Sequence, residues 1–249
     1  MPIDSNRRRR IAGFVLAALA IGGLAPAARA QDQKSATTTP APRDGGAKAL
    51  HEKFLERAKS GGIGLLFLGD SITQGWGGKD KAEIWDRYYG PRDAANFGIG
   101  GDRTEHVLWR LENGEIDGIA PKVVVLMIGT NNVRANSAEE IADGVKAIVA
   151  KLREKLPETK ILLLAVFPRG EKPNPGREKL AAVNETIAKL DDGKRVKYLD
   201  IGKNFLNEDG TIPRDVMPDF LHLSAKGYRI WADAIEPTLW SMLDEPEKK

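Results

Sequence analysis

The sequence predicts a three-layer α/β/α domain on a mostly parallel five-stranded sheet. Three observations carry that expectation. Five short apolar runs recur along the chain, amphipathic patterns with helix caps fall between them, and glycine-rich or polar clusters follow several of the runs. Strands that alternate with helices pair in parallel and are covered on both faces.

The chain opens with a segment of a different kind. Arg7–Arg10 precede an apolar run from Ile11 to Leu24, followed by Ala28-Arg29-Ala30. A basic region, a short apolar region and a small-x-small site form a secretory signal, with cleavage expected after Ala30. The alternative, an uncleaved anchor, is disfavoured because the run is short for a bilayer. The expected product is secreted or periplasmic, with no stable membrane anchor after cleavage; both the general and the twin-arginine export routes are admitted. Residues 31–46 have no apolar period and many turn formers, which predicts a flexible leader before a folded domain over 47–249.

Charge and composition exclude several classes. The net charge is +3, but residues 1–30 carry five arginines against Asp4 and so hold +4; the remainder is near −1. The expected mature protein therefore lacks the basic surface of a nucleic-acid binder. With no cysteine, disulfides, a catalytic thiol and thiolate metal sites are excluded. His51, His106 and His222 are the only histidines, too few for a zinc site built mainly on imidazoles. No metal or cofactor is expected.

The apolar runs Ile63–Leu68, Ala94–Phe97, Val123–Ile128, Ile161–Phe167 and Val196–Leu199 read as buried strands. Asp102-Arg103-Thr104-Glu105 has capping-box form ahead of Val107, Leu108 and Leu111. Ser137-Ala138-Glu139-Glu140 is a second such box. It opens a helix with Ile141, Val145, Ile148, Leu152 and Leu156 on one face, stopped by Pro157. Ser224 is placed to cap a last helix bearing Tyr228, Trp231, Ile235 and Leu239 on one side.

Chemistry-bearing residues follow the strands. Leu65–Leu68 leads into Gly69-Asp70-Ser71, at the carboxyl edge where open parallel sheets bind ligands. A serine there is ordinarily only a helix cap. Asp219-Phe220-Leu221-His222, just before the last helix, lets a carboxylate accept from one ring nitrogen while the other faces a hydroxyl. Asn96–Asp102 supplies glycines for close backbone approach and amides near a helix start. It is no dinucleotide fingerprint, because Arg103 stands at the third-glycine position. In Gly129-Thr130-Asn131-Asn132, Asn131 could donate to an oxyanion or simply hold a turn.

Gly69-Asp70-Ser71, the Gly101 region, Gly129-Thr130-Asn131 and Asp219-x-x-His222 together resemble the four blocks of the SGNH/GDSL hydrolases, in family order. Asn96–Asp102, His106–Leu111, Pro168–Pro175 and Asp219–Leu223 extend the similarity to the catalytic subunits of intracellular platelet-activating-factor acetylhydrolase. The resemblance runs roughly from Leu65 to Leu243. It implies the flavodoxin-like SGNH-hydrolase fold, Ser71 as nucleophile, His222 as general base and Asp219 as its orienter. It further implies an oxyanion hole from the Ser71 and Gly101 amides and the Asn131 side chain, and a small acyl pocket lined by Ile72 and Leu221. The chain departs from those subunits in its signal, its leader and the glycine-rich segment Gln74–Lys81.

The expectation is a secreted serine esterase for short-chain, chiefly acetyl, esters of carbohydrate or lipid, acting on a small-molecule substrate; a homodimer is admitted. The rivals are a non-catalytic carbohydrate- or envelope-binding module on the same fold, and a lysophospholipase or thioesterase.

Overall fold

The computed structural model describes residues 35–245; the expected signal peptide lies outside the described residues. Five strands, β1 (Leu65–Gly69), β2 (Ala94–Gly98), β3 (Val123–Met127), β4 (Lys160–Leu164) and β5 (Val196–Leu199), form one sheet in the order β2-β1-β3-β4-β5. Every pairing is parallel. β1 and β3 lie at the centre with every residue buried, which is why they read as unbroken apolar runs.

The chain leaves β1 for β2 on one side and builds β3, β4 and β5 on the other. The connections after β1 and β3 therefore diverge and leave a crevice at the carboxyl ends of the strands. The helices of the parallel connections fall into two packed groups. Helices α4 (Thr104–Glu112), α5 (Ala138–Lys155) and α6 (Pro175–Ile187) pack in sequence, while α3 (Ala82–Tyr88) packs with α7 (Ala225–Leu243). Near the latter pair, Phe67 of β1 is ringed by Trp76, Trp85, Tyr89 and Trp231, its ring centre 4.7 Å from that of Tyr89. Helix α1 (Gly46–Lys59) lies toward the β2 edge, its Phe54 stacked on Phe97 at 4.5 Å.

Two of the three expected caps are present. Ser137 Oγ accepts from the Glu140 N–H at 3.2 Å, and Glu140 returns a carboxylate to the Ser137 N–H at 2.8 Å. Ser224 Oγ accepts from the Gly227 N–H at 3.2 Å. The third expectation is corrected: α4 is not capped by Asp102. Arg103 is its N-cap, and the Arg103 N–H donates to His106 Nδ1 at 3.0 Å. Asp102 is instead buried, its carboxylate 2.9 Å from Arg110 Nε and 2.8 Å from Arg43 Nη1. A buried guanidinium needs a buried counter-charge, and that demand outranks a cap.

The leader is corrected as well over its described part. Residues 35–46 are docked on the domain rather than flexible. Thr37 is fully buried; its hydroxyl donates to the Glu140 carbonyl at 2.7 Å and its own carbonyl accepts from Thr104 Oγ1 at 3.0 Å. The Ala41 N–H donates to the Glu105 carbonyl, and Arg43 donates to the Gly100 carbonyl at 2.7 Å. Polar contacts hold this strap, so an apolar period was never required of it.

Candidate active site

At the end of β1 the chain turns sharply into α2 (Ser71–Gln74). Asp70 caps this short helix, its Oδ1 accepting the Ile72 N–H at 2.9 Å. Gly69 makes the turn admissible: a Cβ there would stand 2.4 Å from the Met127 carbonyl oxygen of β3. Ser71 is thereby set at the carboxyl edge of the central strand.

The Asp219–His222 turn faces it. Phe220 adopts a left-handed conformation with φ of 59°, and Arg214 lies over its ring at 4.4 Å. The turn folds onto the Asp219 carboxylate. Oδ1 accepts the backbone N–H groups of His222 at 2.7 Å and Leu221 at 3.1 Å, and Oδ2 lies 2.6 Å from His222 Nδ1. An ionised carboxylate can only accept, so Nδ1 carries the proton and Nε2 presents a lone pair. That lone pair meets Ser71 Oγ at 3.0 Å. Partial burial pushes the Asp219 carboxyl up, but the hydrogen bonds from the His222 ring and the turn amides outweigh it and hold it below the usual carboxylate range. Ser71, His222 and Asp219 are thus joined in one hydrogen-bonded chain.

The expected oxyanion groups come from the loops after β2 and β3. Gly100 donates its N–H to Gln74 Oε1 at 2.7 Å, and a Cβ on Gly100 would lie 3.7 Å from that of Ser71. Gly101, with φ of 79°, follows directly. Among the described residues, neither the Ser71 nor the Gly101 N–H has a protein acceptor. Asn131 Nδ2 donates to the Asp102 carbonyl at 2.8 Å, tying the β3 loop to the Gly100–Asp102 loop and leaving its second N–H uncommitted. The turn role and the donor role considered for Asn131 are therefore compatible.

The two expected acyl-pocket residues part company. Leu221 is partly exposed, but Ile72 is 1% exposed and packed into the core, with its carbonyl accepting from Tyr228 Oη at 2.6 Å. Ile72 lies beneath the site rather than on its surface, because α2 turns this side chain inward.

Sequence reasoning missed the charges under the site. Asp70 is fully buried, with Oδ2 unpartnered, and burial pushes its carboxyl up to about 7 against the opposing pull of the Ile72 N–H. Arg110 bridges Asp102 and Glu115 and donates to the Phe97 carbonyl at 3.0 Å, binding the end of β2 to α4. Its signal was available: a charge between Leu108 and Leu111 on the buried face of α4.

A family model described as GDSL-like Lipase/Acylhydrolase matches residues 67–230, more than half of the chain. The platelet-activating factor acetylhydrolase IB subunit alpha1 of Bos taurus is 42% identical over 205 residues, covering 82% of this chain and 87% of that protein. The alpha2 subunit of Rattus norvegicus is 44% identical over 201 residues, covering 80% and 86%. Among solved structures, a putative platelet activating factor from Streptococcus pneumonia matches with a TM-score of 0.66 at 21% identity, over 78% of this chain and 92% of that one. A carbohydrate acetylesterase family member from Sinorhizobium meliloti matches at 0.57 and 19% identity, over 72% and 98%; at these identities both are likenesses of fold. The chain belongs to the GDSL-like lipase/acylhydrolase family and is a serine hydrolase of carboxylic esters.

Proposed function

We propose that this chain is an exported acetylesterase with Ser71 as its nucleophile. The observation that carries the reading is the unbroken chain from Ser71 Oγ through His222 to Asp219, with heavy-atom distances of 3.0 and 2.6 Å. Ser71 Oγ attacks the ester carbonyl carbon while His222 Nε2 takes its proton, and Asp219 stabilises the imidazolium. The carbonyl oxygen becomes an oxyanion that receives the Ser71 and Gly101 N–H groups and the free N–H of Asn131. His222 then returns the proton to the departing alcohol, leaving acetyl-Ser71. A water activated by His222 repeats the sequence in reverse and frees acetate.

The names of the relatives that are 42–44% identical, both acetylhydrolases, support the acetyl group. The export reading rests on Arg7–Arg10, the Ile11–Leu24 run and Ala28-Arg29-Ala30, with the natural ester being an acetylated carbohydrate or lipid outside the cytoplasm. N-terminal sequencing of the exported protein tests that part: a start at Gln31 supports it, and an intact Met1 overturns it.

For the chemistry, an organophosphonate ester should modify one residue, Ser71, and p-nitrophenyl acetate should exceed the butyrate and octanoate in kcat/KM. Label elsewhere with an active Ser71→Ala variant would remove the proposed mechanism. A preference for octanoate would favour a lysophospholipase-like enzyme.

A further inference from the structure

The strap before α1 reaches the edge of the active site, and Arg43 makes the contact. Its Nη1 donates to the Gly100 carbonyl at 2.7 Å and to Asp102 Oδ1 at 2.8 Å. Arg43 lies ahead of residues 67–230, which the family model matches, so this contact comes from outside the shared motif blocks.

The contact falls on one particular peptide. Gly100 supplies its carbonyl, and Gly101 supplies its N–H, the proposed oxyanion donor. In a trans peptide those two groups point in opposite directions. Arg43 holds the carbonyl, so the N–H faces away from the guanidinium, and among the described residues no protein acceptor takes it. The preceding amide is fixed as well, because the Gly100 N–H donates to Gln74 Oε1 at 2.7 Å. The loop is therefore clamped by α2 on one side and by the strap on the other. Two adjacent glycines have little stiffness of their own, so its shape depends on such clamps. A cation on an amide carbonyl also draws electron density from the nitrogen, which strengthens the N–H as a donor.

The same guanidinium reaches the other proposed side of the oxyanion hole indirectly. It pairs with the Asp102 carboxylate, and the Asp102 carbonyl accepts from Asn131 Nδ2 at 2.8 Å. The strap that carries Arg43 is itself anchored. Thr37 donates to the Glu140 carbonyl at 2.7 Å, and the Ala41 N–H donates to the Glu105 carbonyl at 3.1 Å.

The geometry points to Arg43 as a positioning residue of the oxyanion hole, which makes the N-terminal strap a working part of the active site. Arg43 acts through the Gly100–Gly101 peptide and touches no reacting atom. The inference rests on the esterase reading, with the Gly101 N–H as an oxyanion donor.

Kinetics on the exported protein with p-nitrophenyl acetate test it, beside inhibition by trifluoroacetone. Ser71 Oγ adds to the carbonyl carbon of that ketone, His222 takes the hydroxyl proton, and the ketone oxygen becomes an oxyanion held as in the reaction. Arg43→Met should lower kcat about tenfold with KM nearly unchanged, and weaken the ketone by the same factor. Arg43→Lys should recover part of both losses. Thr37→Val should lower the melting temperature and keep kcat, which separates strap stability from the role of Arg43. Arg110 still neutralises Asp102 at 2.9 Å, so Arg43→Met is expected to fold; should it not, Arg43→Gln replaces it with the same two measurements. Normal kcat in the Arg43 variant overturns the inference. So does a kcat loss without a matching loss of ketone affinity, or an equal kcat loss in Thr37→Val. If Ser71→Ala retains turnover, or the unaltered protein hydrolyses no ester, the esterase reading fails and takes this one with it. If Ser71→Ala is inactive and Arg43→Met is normal, the role of Arg43 falls alone.

Discussion

His222 Nε2 lies 3.0 Å from Ser71 Oγ although 151 positions separate the two residues. β1 delivers the serine and the turn before α7 delivers the imidazole, whose orientation is set by Asp219 alone among the described residues.

Asp219→Asn should therefore stay folded and lose most of its activity. The replaced group is half-exposed, so little stability depends on it. An amide can donate to Nδ1 and hold the ring in the tautomer that offers Ser71 no lone pair, a loss of roughly 10⁴-fold in kcat for triads of this kind. Circular dichroism and steady-state kinetics on one preparation check both halves. Near-normal turnover would assign the carboxylate role elsewhere.

Asn131→Ala should lower kcat by roughly 10²–10³ and leave KM nearly unchanged, since the donor acts on the oxyanion more than on the bound ester. The lost bond to the Asp102 carbonyl adds about 1 kcal/mol of destabilisation in either reading. A folded variant with reduced melting temperature but normal kcat would restrict Asn131 to holding its turn.

Asp70→Asn should stabilise the protein in a pH-dependent way. Burial raises the folded-state carboxyl from 3.8 to about 7. Below the lower value both states are protonated and nothing is lost. Between the two, the unfolded chain releases its proton while the folded one retains it, so wild-type stability falls as pH rises, and the deficit is full above about 7. Asparagine keeps an acceptor for the Ile72 N–H and carries no charge. The melting-temperature gap between variant and wild type should widen from pH 4 to 7 and then level off. A gap independent of pH would mean that Asp70 is not the titrating group.

Arg110→Met should destabilise by about 3–5 kcal/mol, because it strands Asp102 and Glu115 as buried carboxylates. Urea unfolding measures it. A loss below about 1 kcal/mol would show that Arg43 and His51, the remaining partners at 2.8 and 2.7 Å, neutralise the pair unaided.

The sequence alone determined what short-range physics encodes. Apolar runs named all five strands; the run is unbroken in β1 and β3, which are buried on both faces and have no polar side, and is interrupted at the edge in β5, where Lys197 is exposed. Ser137 and Ser224 announced their helices because a cap and its N–H partners lie within three residues. Ser71, Asp219 and His222 were legible because family resemblance singled them out at the ends of those elements. Tertiary structure decided everything that depends on which distant groups meet. The sheet order set the crevice; Arg110 took Asp102 away from the helix cap, and α2 turned Ile72 into the core. The strap around Thr37 and Arg43 looked structureless because its partners, Glu140, Thr104, Gly100 and Asp102, lie 57 to 103 positions away. Local periodicity carries no record of a polar contact made across that distance, and burial then makes each such contact strong enough to override the local preference.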